Sequence, residues 1–158
     1  MPTLILVYGP IASRKSSICS RLLKKRKFTF VDRANMKEML KPIGKEEAKE
    51  IADKTTIFMV KELMKQKKDI LVQEQNRKNL QKAVNDYGKG YKTYSFFLKC
   101  RYETAIARDK LREKKLGDPA NILTNYNRVK YDKKDIIIDT EKNSIVESVK
   151  IILDKIKN

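Results

Sequence analysis

The chain has 158 residues, enough for one domain with a sizeable core, and no apolar run approaches the ~18 residues of a membrane-spanning helix. It contains no histidine, which excludes histidine-based zinc sites and catalysis by Ser-His-Asp or Cys-His groups. The formal net charge of +17 favours polyanionic partners, among them RNA, DNA and phosphorylated metabolites.

Short apolar runs alternate with helical patterns along the whole chain. In order, the patterns predict a strand at 3–8, a helix at 16–25, a strand at 28–31, helices at 34–40 and 45–66, a strand beginning at 70–72, a helix at 78–87, a strand at 91–99, helices at 102–115 and 119–129, a strand at 135–139 and a helix at 144–156. We therefore expect a three-layer α/β/α sandwich around a five-stranded parallel sheet.

Neither a repeat nor a change of composition divides the chain, so residues 1–158 are predicted to form a single domain. Two segments stand out within it. The long helix has Ile51 and Phe58 near helical spacing, which predicts an apolar face that includes them. Residues 101–134 are highly charged and hold two helices between the fourth and fifth strands, more than one crossover needs, which predicts a lid.

The stretch GPIASRKSS, residues 9–17, directly follows the first predicted strand and opens a helix. It has the outline of the pattern G-x-x-x-x-G-K-[ST], in which backbone N–H groups and a helix N-terminus surround phosphate oxygens. In that pattern Lys15 reaches the β- and γ-phosphates and Ser16 binds Mg²⁺. The sequence therefore predicts a nucleotide site formed by Gly9, Ala12, Ser13, Arg14, Lys15, Ser16 and Ser17.

The loop departs from the pattern at two positions that often hold glycine, now Ala12 and Arg14. Glycine before the lysine often has a positive φ, and an arginine held there costs about 1–2 kcal/mol. The Arg14 side chain either points into solvent or lies over the phosphates as an additional cation. An additional cation fits an active site, whereas an obstructing side chain fits a binder that has lost its chemistry.

These residues resemble the P-loop kinases, and among them the small polynucleotide kinase-like and zeta-toxin-like ATP-dependent kinases. Their loop reads roughly G-x-P-G-S-G-K-S-T. After the second strand, polynucleotide kinases carry Arg-Asp-Asp, where FVDRANMKEML matches Arg33 but has Ala34 at an acidic position. Their third strand often ends in Ser-Asp-Thr-Asn, where VQEQN places Glu74 at the acidic position and Asn76 at the amide. The resemblance extends over nearly the whole chain.

The resemblance implies phosphoryl transfer from ATP to a hydroxyl or a phosphate, with positioning and charge neutralisation as the main contributions of the protein. It implies that Lys15 and Mg²⁺ on Ser16 stabilise the transferring group, and that Glu74 holds a metal-bound water. Arg108 and Arg112, four residues apart on one helical face, would close over the phosphates; alternatively they belong to a solvated face.

The proton of a hydroxyl acceptor needs a general base. Asp32 is our candidate because it ends the second strand, and ligands gather at the carboxyl ends of strands in such sheets. The gapless match instead puts the base at Ala34, and Asp32 has the alternative role of a helix N-cap. Without a base the acceptor would be a phosphate, which is already ionised.

Three functions remain open at this point. The charge favours an ATP-dependent kinase that acts on an RNA or DNA end or a similar hydroxyl substrate. The short chain and the missing Arg-Asp-Asp favour a nucleotide or small-metabolite kinase. The substitutions at Ala12, Arg14 and Ala34 favour a nucleotide-binding module without catalysis. Since no secretory pattern begins the chain, we expect a cytoplasmic protein that does not contact membranes.

Overall fold

A computed structural model gives the structure of residues 1–74, 77–112 and 118–157. The strands are β1 (Thr3–Tyr8), β2 (Thr29–Asp32), β3 (Ile70–Glu74), β4 (Lys92–Lys99) and β5 (Ile136–Asp139). The helices are α1 (Lys15–Lys25), α2 (Arg33–Met39), α3 (Lys45–Lys65), α4 (Lys78–Tyr87), α5 (Tyr102–Lys110), α6 (Pro119–Arg128) and α7 (Ile145–Lys157), with a 3-10 turn at Lys41–Ile43. Within the described ranges no helix is long and apolar enough to cross a membrane.

The strands form one parallel sheet in the order β2-β3-β1-β4-β5. Alternate residues of each strand point to opposite faces, so the sheet has two apolar sides. Val60 and Met64 of α3 and Leu80 of α4 pack on one side. Ile18 of α1 and Ile152 of α7 pack on the other. The predicted α/β/α sandwich with a five-stranded parallel sheet is confirmed.

Helix α3 faces the sheet with a different set of residues from the predicted one. Its buried positions recur every four residues, and they are mostly small or slender side chains: Ala48, Ala52, Thr56, Val60 and Met64. Ile51 and Phe58 are instead exposed at 42% and 64%. The prediction was wrong because it weighed hydrophobicity alone, whereas small residues let the helix axis approach the sheet closely.

The ends of β3 and α5 bear on the candidate site, and α5 ends before the predicted residue 115. Strand β3 extends to Glu74, which carries Gln73 and Glu74 to the carboxyl edge of the sheet. Helix α5 ends at Lys110, and residues 113–115 of the predicted helix lie outside the described residues. The end of β3 bears on the candidate site because its last two side chains point to opposite faces beside the β1–α1 loop.

Helices α5 and α6 pack against the β1–α1 loop. Cys100 and Ile122 form the centre of a small apolar cluster that also contacts Ile11 of the loop. The buried side chain of Asn125, on α6, accepts a hydrogen bond from the backbone N–H of Ile11 at 2.8 Å. The interpretation of residues 101–134 as a lid stays a prediction, but both of its helices contact the loop.

Gly9 lies closer to β4 than any side chain would permit. A Cβ atom at this position would stand 2.6 Å from the backbone oxygen of Leu98 and 2.9 Å from Oγ of Ser13. Gly90 offers a matched comparison, because its φ of 90° is also unfavourable for other residues but a Cβ there would meet nothing within 4 Å.

We expect Gly9→Ala to lower the free energy of unfolding by about 1–3 kcal/mol more than Gly90→Ala. Both variants place alanine at a positive φ, but only Gly9→Ala also forces a backbone contact apart. Urea denaturation of the two variants measures the difference. Equal losses would show that the close approach to Leu98 is not what requires glycine at position 9.

Candidate functional site

The β1–α1 loop opens into a cavity of about 720 Å³ at the carboxyl edge of the sheet. Residues 12–17 line it, which places six of the seven predicted nucleotide-binding residues together. The seventh, Gly9, supports the loop from below through its contact with β4. The first turn of α7 contributes Ile145 and Val146 to the cavity wall.

Lys15 lies in the mouth of the loop. Its Nζ atom donates hydrogen bonds to the carbonyl oxygens of Gly9 at 2.8 Å and Pro10 at 2.7 Å. Burial lowers the pKa of the Lys15 ammonium from 10.5 to about 8, with a smaller contribution in the same direction from Arg112. The charge is thus held where few groups compensate it, which favours contact with an anion.

The two departures from the loop pattern both keep the backbone geometry of glycine. Ala12 has a φ of 59° and Arg14 a φ of 70°, both in the left-handed region. The strain expected at Arg14 is therefore present, and packing of the loop maintains it. The Arg14 side chain is half-buried and lines the cavity, and its role as an additional cation over phosphates stays a prediction.

Arg108 of α5 and Arg112 both line this cavity, but Arg112 follows the end of α5 at Lys110, so the prediction that the two share one helical face was wrong. Arg108 donates to the backbone oxygen of Ala12 at 3.2 Å, and to the hydroxyl and backbone oxygens of Thr140 at 3.0 and 2.8 Å. Burial lowers its pKa, and the nearby charge of Arg14 acts in the same direction. Arg108 thus ties α5 to the loop and to the end of β5, while Arg112 is exposed at the rim.

Gln73 is a site residue that the sequence reading missed. Its Nε2 atom donates to Oγ of Ser16 at 2.9 Å, and its Oε1 atom is buried without a partner among the described residues. Alternation along β3 turns Gln73 toward the layer of α1, but nothing in the sequence pattern distinguishes this glutamine from other polar residues at strand ends. An unpartnered buried oxygen beside a serine hydroxyl fits a hard cation such as Mg²⁺, which prefers oxygen ligands.

Glu74 points to the opposite face of the sheet from Gln73. Its Oε1 atom lies 3.5 Å from Nε of Arg33, and the Glu74 side chain is 1% exposed. Arg33 also pairs with Asp53 of α3. The structure does not bring Glu74 to Ser16, so its proposed contact with a metal-bound water stays a prediction. Asn76, the predicted amide partner, lies outside the described residues.

Asp32 pairs in register with Gln73 and so points toward the same layer. Its Oδ1 atom accepts from the backbone N–H groups of Ala34 at 3.0 Å and Asn35 at 3.4 Å, which is the N-cap interaction of α2. Burial raises the pKa of the Asp32 carboxyl. Its role as a general base stays a prediction. Ala34 lines the cavity at the position that the gapless match gave to the base.

The charges of the cavity are strongly biased. Four cations line it, namely Arg14, Lys15, Arg108 and Arg112, and no carboxylate does among the described lining residues. Polyphosphates are anions with several oxygen acceptors, and arginine and lysine are their usual protein partners. This bias of charge agrees with the phosphate-binding loop that the sequence predicts, and the binding of phosphates stays a prediction.

Sequence comparison provides no relative, since no protein-family model and no curated protein matches the chain. Solved structures do match in fold. A tunicamycin resistance protein from Deinococcus radiodurans has a TM-score of 0.72 at 12% identity, covering 99% of this chain and 96% of that one. A gluconokinase from Sinorhizobium meliloti 1021 has a TM-score of 0.70 at 13% identity, covering 94% and 88%.

A chain of the Pnkp1/Rnl/Hen1 RNA repair complex matches with a TM-score of 0.65 at 17% identity, covering 85% of this chain and 48% of that one. At such low identity these likenesses show the fold alone. Together with the loop and its position after β1, they show that this chain has the P-loop kinase fold. The predicted resemblance to that superfamily is confirmed at the level of the fold.

We expect Arg14→Gly to be about 1 kcal/mol more stable than Arg14→Ala. Both variants remove the charge, but only glycine relieves the strain of the left-handed conformation. The stability gained in this way exceeds the stability lost through the larger conformational entropy of glycine in the unfolded chain. Urea denaturation compares them. An alanine variant as stable as the glycine variant would show that position 14 is not strained.

We expect the stability of the wild type, relative to Lys15→Met, to rise between about pH 7 and about pH 10. The pKa of Lys15 is about 8 in the folded protein and 10.5 ordinarily. The unfolded chain therefore binds more protons in this range, so raising the pH favours folding through this group. Methionine keeps the unbranched shape without the charge. Denaturation curves with the same pH dependence in both proteins would contradict the burial of a charged Lys15.

Proposed function

We propose that this chain is an ATP-dependent phosphotransferase. The observation that carries the proposal is the loop cavity, where four cations converge on a P-loop and no described lining residue is acidic. A module that only bound nucleotide would also use the loop. Arg14 and Arg108 support transfer because extra cations near the phosphates stabilise the charge that spreads over the transferring group.

In this proposal the triphosphate lies along the loop. Its oxygens replace the carbonyls of Gly9 and Pro10 as the acceptors of Lys15. The buried ammonium then donates hydrogen bonds to charged phosphate oxygens, which are stronger acceptors than carbonyl oxygens. Arg14 and Arg112 flank the chain of phosphates. The nucleoside end lies against Ile145 and Val146, which offer an apolar wall to a flat base.

Mg²⁺ would be held at Ser16, with the unpartnered oxygen of Gln73 and the carboxylate of Asp32 on the same side of the sheet. When bound, the ion would neutralise charge on the β- and γ-phosphates. The residues of the chain do the remaining work: Lys15 orients the γ-phosphate, and Arg108 holds α5 against the loop through its bonds to Ala12 and Thr140.

A nucleic acid end is a second candidate acceptor. The net charge of +17 favours it, and so does the likeness to a chain of an RNA repair complex. The other fold neighbours named above include a gluconokinase, so the fold by itself does not select an acceptor.

We expect Lys15→Ala to weaken ATP binding by about ten- to a hundredfold, because an ammonium–phosphate contact contributes about 1.5–3 kcal/mol. Isothermal titration calorimetry measures the affinity, and transfer from γ-labelled ATP to an acceptor panel measures activity. The matched control is Lys24→Ala, which removes an exposed lysine of the same helix outside the cavity.

Equal ATP affinities in Lys15→Ala and Lys24→Ala would overturn the loop as the nucleotide site. Normal ATP binding by the wild type without transfer to any acceptor would instead support a binding module that has lost catalysis.

A further inference from the structure

A second cavity, of about 320 Å³, lies on the other side of β1 from α1. Tyr8, the last residue of β1, forms its floor on the face that packs against α3 and α4. The walls come from the start of α4, and from the end of α6 with the segment that follows it. The charged or phenolic residues that matter here are Tyr8, Arg77, Lys78, Arg128, Lys130 and Asp132.

The contacts of α6 and β1 place this cavity next to the phosphate loop. Tyr8 is directly followed by Gly9, the first residue of the loop. Asn125 binds the N–H of Ile11, and Arg128 lies three residues further on the same face of α6. The second cavity is therefore within one helical turn of a residue that contacts the loop.

The charge of the second cavity is positive even after its acids are counted. Asp135, beneath it, is 0% exposed in its side chain and is engaged by Arg77 at 3.2 Å and by the hydroxyl of Tyr8. Asp132 lies 3.4 Å from Arg77. Two carboxylates thus face four cations in this region. Arg128 and Lys130 are exposed, and neither has an ion-pair partner among the described residues.

No described group that lines or borders the second cavity is suited to take a proton from an alcohol, and Asp32, the candidate base, lies on the other face of the sheet at the N-cap of α2. Glu74, beside Tyr8 in register, is 1% exposed and paired with Arg33. Burial and the neighbouring Asp135 raise the pKa of the Tyr8 hydroxyl, which keeps it protonated at neutral pH. Backbone hydrogen bonding from Lys134 lowers the pKa of Asp132, which makes that carboxylate a weak base.

We propose that the second cavity is the acceptor site and that the acceptor is a small phosphate monoester, phosphorylated on its phosphate; this inference rests on the proposed function. An oxygen of the acceptor phosphate attacks the γ-phosphorus of ATP. The bond from that phosphorus to the oxygen that bridges to the β-phosphate breaks, and ADP leaves with the electron pair. The second pKa of a phosphate monoester is about 6, so the attacking oxygen carries no proton at neutral pH and no base is required.

Size and recognition both fit a small acceptor. Pockets for small ligands span about 300–1,000 Å³, so this cavity holds one compact molecule and not a folded nucleic acid end. Arg128 and Lys130 supply donors for the phosphate of the acceptor, and Tyr131 offers an aromatic face at the rim. An acceptor bound there would bring its phosphate close to the phosphates of ATP. The cations of both cavities would offset the repulsion between these anions.

The test compares compounds in pairs that differ only in a phosphate: cytidine 5′-monophosphate with cytidine, ribose 5-phosphate with ribose, and glucose 6-phosphate with glucose. A 5′-hydroxyl oligonucleotide completes the panel. Calorimetry measures the binding of each compound to the protein saturated with a non-hydrolysable ATP analogue. In separate reactions with ATP, ³¹P NMR distinguishes a new diphosphate from a new ester. We expect the phosphorylated member of at least one pair to bind at least tenfold more tightly and to yield a diphosphate.

Arg128→Ala should weaken that binding by about ten- to a hundredfold and leave the affinity for the ATP analogue unchanged. Lys133→Ala, which removes an exposed charge outside the cavity, is the matched control and should change binding less than about twofold. The proposal is overturned if no monoester is preferred in any pair, if phosphate enters a hydroxyl of the sugar or the oligonucleotide, or if the two variants lose affinity equally. If the wild-type protein does not bind ATP, the proposed function itself is wrong.

Discussion

The close approach of Gly9 to β4 is the constraint on which the site depends. Because the backbone of the loop rests on the carbonyl of Leu98, the chain must turn within residues 10–14, before α1 begins at Lys15. Ala12 and Arg14 accept left-handed conformations to complete this turn. The geometry of a phosphate loop is thus maintained with a single glycine, and strain at two other residues is the consequence.

This arrangement gives the substitution of Arg14 for glycine a physical meaning. The turn directs the arginine side chain into the cavity, beside Lys15 and near Arg108. Three like charges close together destabilise the unliganded protein, and burial adds to the cost at Lys15. An anionic ligand would relieve this repulsion. The site therefore lowers the stability of the protein without a ligand and favours the binding of an anion.

The sequence predicted the elements that depend on local patterns. The loop, the order of strands and helices, the parallel sheet and the N-cap alternative for Asp32 follow from spacing, hydrophobic runs and capping chemistry. It did not predict the face of α3 that packs on the sheet, because the choice between Ala52 and Phe58 depends on how closely two layers approach.

Gln73 and the second cavity were missed for a related reason. A glutamine at the end of a strand has no distinctive pattern, and its role follows only from a 2.9 Å contact with Ser16 across the sheet edge. The second cavity joins residues from β1, from α4, and from the end of α6 and the segment after it, which lie far apart along the chain. Such clusters exist only once the strand order is fixed, and the strand order is a property of the tertiary structure.

The most direct test of the central claim is a crystal structure of the protein with a non-hydrolysable ATP analogue. We expect Nζ of Lys15 to leave the carbonyls of Gly9 and Pro10 for the phosphates, and the guanidinium of Arg14 to lie within hydrogen-bonding distance of a phosphate oxygen. A nucleotide bound elsewhere, or phosphates in the loop with Arg14 turned out into solvent, would contradict it.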